Sequence, residues 1–562
     1  VHRTKVPGQA VEDLLCQVVE AALARLPIDR RMRWGDQRVE FVRPLRWVVM
    51  LYGKDVVEGT ILGVKADRLT TGHRFMSSGS IRLADPNDYT EALQKAKVVA
   101  DFDDRRDLIR GQLEDAAAEL QGHVVIDESL LDEVTALVEW PSTLAGEYDG
   151  EFLAAPREVL ISAMKKHQRY FHLTDEDGAL LARFLAVVNI ESSNAGLVIA
   201  GNEKVIRPRL ADATFFYGLD SKKTLHAKLD QLKGVVFHSE LGSYFDKAQR
   251  VSNLAGFIAE QLGCDAPLAQ RAGLLCKVDL VTSLVNEFPD LQGTMGYYYA
   301  SNDQEAEEVA VALREQYLPA YSGDRLPASD TGRAVALADR IDTLIGLFGI
   351  GQPPSGSKDP FGLRRASLGI VRIVIEERLD LDLFACLRHS AELFTDQQFP
   401  TEQLLEYILE RLSNWYQERG VPQSVVLAVR SGGQDGTVQH NFLDLARRID
   451  AVDSFRQGHR AAALAEANKR VANILLKQVD DESRGSVDAA LLTEKAEVEL
   501  HRQIVAKQQA IQPMMQSRDY GATLDTLADL QAAIDSFFDE VMVMVDDLPI
   551  RNNRIALLQQ LR

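Results

Sequence analysis

Between residues 454 and 477 the sequence SFRQGHRAAALAEANKRVANILLK gathers Arg456, Arg460, Lys469, Arg470 and Lys477 against one acid, Glu466. Helical spacing puts Leu464, Ala467, Val471, Ile474 and Leu475 on one apolar stripe. Lys469, Asn473 and Lys477 recur every four residues on another face. A basic edge on an anchored helix is chemistry for holding phosphate, with no bond made or broken. The competing reading is a plain solvated face, the commoner fate of charged helix surfaces. Near the end, Arg551, Asn552, Asn553 and Arg554 open a helix just after Pro549. Arginine and asparagine can hydrogen-bond the edges of unstacked bases, and a helix N-terminus favours phosphate. There the competing reading is capping by Asn, with ion pairs to Asp546 and Asp547.

Three further clusters are cationic. KKHQRYFH (165–172) interleaves Lys165, Lys166, His167 and Arg169 with Tyr170 and Phe171. Rings beside cations suit single-stranded RNA, but a strand with one buried face accounts better for the pattern. Lys204, Arg207 and Arg209 form a second cluster with no assigned use. In GSKDPFGLRR, Lys358, Arg364 and Arg365 flank Asp359 and Pro360, which read as a turn before a helix.

These patches stand against a formal net charge of −20. A chain so acidic does not attract nucleic acid as a whole, so any such contact must be local. Cys16, Cys264, Cys276 and Cys386 form no C-x-x-C pair, which excludes a zinc ribbon and fits a reducing cytoplasm. No apolar run reaches membrane-spanning length. The phosphate loop G-x-x-x-x-G-K-[ST], G-x-S-x-G and H-E-x-x-H are all absent, and the eleven histidines show no metal spacing. Neither a catalytic residue nor a metal ligand is therefore expected. The chain begins VHRTKVPGQA, without Met or a signal core, so its natural N-terminus is expected to lie upstream.

The elements that must position these residues change character along the chain. EDLLCQVVEAAL (12–23) predicts a helix, and 38–53 and 56–64 predict strands, with Pro44 marking an edge, bulge or break. DDRRDLIRGQLEDAAAEL (103–120) predicts another helix. Residues 1–220 read as α+β. From 221 onward the pattern is helical: 243–263, 269–288, 332–350 and 363–378 are apolar-periodic, and 351–362 is a loop. The acidic VDDES (479–483) reads as a solvated loop. The fold class is multidomain α+β: an α/β-mixed N-terminal region, then mostly α.

The middle region resembles the HD phosphohydrolases, which ligate a divalent metal through a His, a His-Asp dipeptide and a distant Asp. In FDKAQRVSNLA (245–255) the first His position falls on Lys247. In AGLLCKVDLV (272–281) the dipeptide falls on Cys276 and Lys277, and Asp339 matches the final Asp. An ammonium cannot ligate metal. The resemblance therefore implies a helical scaffold without its metal, with Asp279 and Asp339 as partnered structural carboxylates. A metal-dependent phosphohydrolase is the alternative.

Four blocks resemble a second family, the β chain of the bacterial two-subunit glycyl-tRNA synthetase. They are RMRWG…VEFVRPLRW with TGHRF, FLAVVNI…GNEKVIRPRLADATFFY, VNEFPDLQGTMGYYYA with ADRIDTLIGLFGIGQPPSGSKDPFGLRR, and FFDEVMVMVDDLPIRNNRIALLQQL. The last resembles the anticodon-binding helical domain shared with arginyl-tRNA synthetase. HIGH-like and KMSKS-like strings, which hold ATP in the first synthetase class, are missing. The resemblance implies an α2β2 assembly in the cytoplasm, with ATP, Mg and glycine handled by the α subunit. This chain would bind tRNA-Gly but no cofactor, no DNA and no membrane. It implies an editing-like domain at 1–220, similar to part of the phenylalanyl synthetase β chain. An HD-like domain would follow at 221–378, a helical body at 379–454 and an anticodon-binding domain at 455–562. The expected tRNA contacts are Lys469, Arg470, Asn473, Lys477, Arg551, Asn552 and Arg554. The family also has more chain before the RMRWG block.

Overall fold

The computed structural model describes residue 8 and residues 10–35, 38–356, 358–394, 399–431, 440–476 and 486–561. Lys477 and the 479–483 loop lie outside these residues. The chain forms two compact units. One comprises the residues up to Lys222 together with Ser283–Leu291; the other comprises Lys223–Thr282 and Gln292 onward.

The first unit is mixed α+β. Helix Val11–Arg25 sets Leu15, Val19 and Leu23, four residues apart, against Met50, Val57, Ile61 and Ala66. The strands predicted across 38–64 are broken into two-residue pieces: Glu40–Phe41, Val48–Val49, Leu51–Tyr52, Asp55–Val56 and Thr60–Ile61. Pro44 has no N–H to give a ladder. Gly53 supplies the positive φ, 57°, that the hairpin joining Leu51–Tyr52 to Asp55–Val56 requires. A four-stranded antiparallel sheet follows, in the order His123–Val124, Phe171–Thr174, Leu180–Val188, Ser142–Glu147. Helices Phe102–Glu119 and Glu128–Leu137 pack Ile109, Leu113, Leu131 and Val134 against Phe171, Leu173 and Leu185. Helix Ala195–Asp220 closes the first long stretch of this unit.

The second unit is helical. Helix Asp330–Gly349 is apolar nearly all round, and such a helix belongs in a core; buried residues line it from Thr331 to Phe348. Helices Tyr244–Leu262, Ala266–Leu275 and Leu363–Glu376 pack around it. The single helix expected over 269–288 is a correction. It ends at Leu275, and a short 3-10 turn, Val278–Val281, replaces its continuation. The break lets Lys277 face Asp339 and lets the Asp279 carboxylate accept the N–H groups of Gly293 and Gly296. Residues 283–291 then belong to the first unit. At the C-terminal end, helices His459–Leu476, Lys495–Gln516, Tyr520–Ala528, Gln531–Glu540 and Leu548–Gln559 bury Val471, Leu500, Ile504, Ile534, Phe537 and Leu557. No described helix is long and apolar enough to cross a membrane.

Candidate nucleic-acid interface

Helix His459–Leu476 folds with the register its sequence predicts. Ala467, Val471 and Leu475 are buried, Leu464 and Ile474 half-buried. Lys469, Arg470 and Asn473 are exposed on the other side. The tertiary structure nonetheless makes this surface less basic than its own segment. Arg470 meets Asp535 at 3.2 Å and Glu466 at 3.4 Å. Arg460 pairs with Asp529, and Arg456 with Asp453 at 2.6 Å. Among the described residues Lys469 has no ion-pair partner. Asp525, Asp529 and Asp535 lie some sixty to seventy residues further along the chain. No local reading of 454–477 could have placed them there. Exposed pairs of this kind are worth about 0–1 kcal/mol, so a phosphate can exchange with the carboxylate.

The final helix divides its four polar residues. Asp547 caps it, accepting the Ile550 N–H, and Pro549 occupies the first turn. Arg551 is half-buried and Asn552 exposed. Asn553 is buried, accepting the Asp488 N–H at 2.7 Å and donating to the Asp488 carbonyl at 3.0 Å. Arg554 is a correction to the expected contacts. It is only 5% exposed, pairs with Glu497, and donates to the Met542 carbonyl at 2.8 Å. Glu497 is itself fully buried and accepts the N–H groups of Thr493 and Glu494. Arg554 therefore ties the last helix to Lys495–Gln516, with Nε and Nη1 committed inside the protein and almost none of its surface open to RNA.

In the first unit KKHQRYFH is packed, but the strand expected there is a correction: Met164–Gln168 is a π-helical turn closed by Arg169 at φ 56°, and the strand begins only at Phe171. Lys165 pairs with Asp127, Lys166 with Asp290, and Arg169 with Glu133 at 2.9 Å. Tyr170 stacks on Phe184 with centroids 4.4 Å apart, and Phe171 is fully buried. Burial, with Arg157 and Lys165 nearby, lowers the His172 pKa to about 4. Lys204, Arg207 and Arg209 are exposed on Ala195–Asp220. Asp359 accepts the Leu363 and Arg364 N–H groups at 2.8 and 3.0 Å, the turn-and-cap role its sequence predicts.

The four positions singled out as a degenerate metal site do come together. Lys247 Nζ lies 3.1 Å from Asp339 Oδ1 and 2.9 Å from Asp342 Oδ2, and donates to Thr343 Oγ1 at 2.8 Å. Lys277 Nζ lies 3.0 Å from Asp339 Oδ2 and 4.3 Å from the centroid of Tyr317. Arg250 takes the other oxygen of Asp342 at 2.6 Å. Burial pushes the Cys276 thiol up to about 12, so it stays protonated. Burial also raises Asp339, but Lys247 and Lys277 outweigh it and hold its carboxyl below the ordinary carboxylate range. Two ammonium groups and a protonated thiol are not ligands for a divalent cation. Among the described residues no three His, Cys, Asp or Glu side chains are arranged to hold a metal ion.

Residues 1–431 match the family model of the glycyl-tRNA synthetase beta subunit, and residues 464–562 match that of the DALR anticodon binding domain. The glycine–tRNA ligase beta subunit of Hahella chejuensis is 49% identical over 567 residues, covering 100% of this chain and 81% of the relative. That of Marinobacter nauticus is 49% identical over 566 residues with the same coverage. That of Pseudomonas aeruginosa is 48% identical over 560 residues, 99% of this chain and 81% of the relative. The chain therefore belongs to the glycyl-tRNA synthetase β-subunit family and carries a C-terminal DALR anticodon-binding domain.

Proposed function

We propose that the C-terminal helices grip the anticodon arm of tRNA-Gly through Lys469, Arg470, Asn473, Arg551 and Asn552. The ligase chemistry proceeds in the partner α subunit. The observation that carries this reading is that Lys469, Arg470, Asn473 and Asn552 are exposed, and Arg551 half-exposed, on two helices sharing one core, within the anticodon-domain match. Lys477 continues the four-residue spacing in sequence but lies outside the described residues; buried Arg554 is left out. ATP, Mg and glycine are held by the α subunit, in an α2β2 assembly in the cytoplasm. This chain takes no cofactor and binds neither DNA nor a membrane.

We read the region 221–378 as an HD-like scaffold in which lysine ammonium groups stand where relatives of that fold hold metal. The meeting of Lys247, Cys276, Lys277 and Asp339 supports this. Residues 1–220 we read as editing-like in fold, with no reaction assigned.

The test is tRNA-Gly binding by the αβ complex across a salt series. Lys469→Ala/Arg470→Ala and Arg551→Ala/Asn552→Ala are each compared with wild type. Each phosphate-contacting cation removed should flatten the log–log salt dependence by about one unit. Losing a base-reading side chain should cost about 1–3 kcal/mol, by analogy with base readout in DNA. Glycine activation without tRNA should not change. Wild-type affinity and slope in both pairs would move the RNA contact elsewhere, with Lys204, Arg207 and Arg209 the next exposed cations to test.

A further inference from the structure

Helix Ala195–Asp220 is held from one side. Ile206, Leu210 and Ala213 are fully buried, and the helix packs on Arg157–Ala163, Ser142–Glu147 and Ser283–Glu287. Its other side is exposed and is apolar too. Leu197, Val205, Pro208, Phe215 and Leu219 are spaced by eight, three, seven and four residues, so they return to one face. Leu197 is 71% exposed and Phe215 65%, so neither is covered by the chain's own fold. Ala200, Gly201, Ala211 and Gly218 stand exposed among them, small enough to let another chain approach closely. A helix apolar all round belongs in an interior, so this outward face lacks its cover. Three cations accompany it. Lys204, Arg207 and Arg209 are exposed, and among the described residues none has an ion-pair partner. Asp212 is the exposed acid of the helix; Glu203 turns back to accept the Glu147 N–H at 3.0 Å. Arg207 and Arg209 are two residues apart and so project about 160° apart round the axis, one on each flank of the stripe.

An apolar stripe with an aromatic ring and arginines at its borders has the composition of a protein–protein contact. A phosphate backbone would meet the cations and leave Leu197 and Phe215 in water. From Leu197 to Leu219 the stripe runs about 33 Å, and a helix is about 10 Å wide, so the outward face spans roughly 330 Å². Each partner in a stable interface buries about 800 Å². A second copy laid helix on helix therefore covers too little. A groove whose walls reach both flanks covers the stripe, Arg207 and Arg209 together, and supplies the missing area. We propose that the glycyl-tRNA synthetase α subunit receives helix Ala195–Asp220 in an apolar groove with carboxylates on both walls. Val205 and Phe215 are buried in it, and Arg207 and Arg209 pair with the two walls. The inference rests on the α–β assembly read above and assigns it a surface.

The experiment mixes the purified α subunit with this chain and measures association by sedimentation and by calorimetric titration at low and high salt. Val205→Asp/Phe215→Asp sets two carboxylates on the stripe and should weaken association about 30- to 1,000-fold, the range of lost interface hot spots. Arg207→Glu/Arg209→Glu should weaken it about 10- to 100-fold and flatten its salt dependence. Binding of tRNA-Gly by each variant chain alone should match wild type. Wild-type affinity for the α subunit in a folded Val205→Asp/Phe215→Asp overturns the proposal. If that variant fails to fold, wild-type affinity in Arg207→Glu/Arg209→Glu overturns it. Variants that keep the α subunit but lose tRNA-Gly make this an RNA surface and overturn the proposal. So do variants that keep the α subunit but convert a wild-type dimer of this chain to monomers, which make it a self-contact. In all these cases the assembly reading survives, because wild type still binds the α subunit. A wild-type chain that does not bind the α subunit overturns both.

Discussion

Asp339 holds two buried ammonium groups, and the two depend on it unequally. Lys247 also reaches Asp342, Thr343 and the Asp339 carbonyl. For Lys277 the one ion pair among the described residues is with the Asp339 carboxylate; the face of Tyr317 lies beside it, and the Asp279 carboxylate acts on it only from beyond ion-pair distance. Asp339→Ala therefore strands a lysine that is 3% exposed. Removing one partner of a buried ion pair costs about 3–5 kcal/mol. Lys277→Met is milder, because Asp339 keeps Lys247. The loss is about one charge-assisted hydrogen bond, 1.5–3 kcal/mol, partly offset by no longer desolvating the ammonium. In the Asp339→Ala background the same Lys277→Met change should reverse sign and restore about 2 kcal/mol or more, since the stranded charge is gone. Backbone amide exchange in helix Asp330–Gly349 at pH 7 reads this directly. Asp339→Ala should speed exchange by a hundred- to a few thousand-fold, equivalent to about 3–5 kcal/mol. The double variant should exchange more slowly than Asp339→Ala alone. A double variant that exchanges faster than Asp339→Ala refutes the idea that these lysines and this carboxylate form one interdependent charge cluster.

Two further outcomes follow from buried groups. Arg554→Ala should destabilise the C-terminal helices by about 3–5 kcal/mol, because it leaves the Glu497 carboxylate without its cation. Thermal unfolding and exchange in Lys495–Gln516 report this; a fully stable variant with a reduced tRNA salt slope would return Arg554 to the RNA surface. Burial, opposed in part by the Gly293 N–H, raises Asp279 from 3.8 to about 6. A raised acid takes up its proton more readily folded than unfolded, so stability is lost as pH rises from about 4 to 6. The penalty is fully present above that, about 2–3 kcal/mol. Asp279→Asn should remove this component, and urea unfolding of wild type and variant at pH 4.5 and 7.5 tests it. A wild-type-minus-variant difference independent of pH would show that Asp279 keeps its ordinary pKa in the folded chain.

Much of the architecture was legible in the residues because it depends on neighbours close in sequence. The apolar stripe Leu464–Ala467–Val471–Ile474–Leu475 determines which side of its helix is buried, since period 3.6 is a local property. Capping by Asp359 and the break at Pro44 are equally local. The family resemblance was legible too, since its blocks stand in order along the chain. What tertiary structure decided is where charges end. Arg554 and Arg551 share a segment, yet one is sealed against Glu497, fifty-seven residues away in sequence, and the other reaches the surface. The basic run at 454–477 was read against one acid, but folding brings Asp529 and Asp535 to it from a different helix and the turn before it. The break after Leu275 was hidden for the same reason. It exists to bring Lys277 to Asp339 and the Asp279 carboxylate to the Gly293 N–H, partners that sequence spacing does not specify. Periodicity reports which face of an element is apolar. The pairing of buried charges is settled only when distant elements pack, because an unpaired charge in the interior costs more than any local preference can supply.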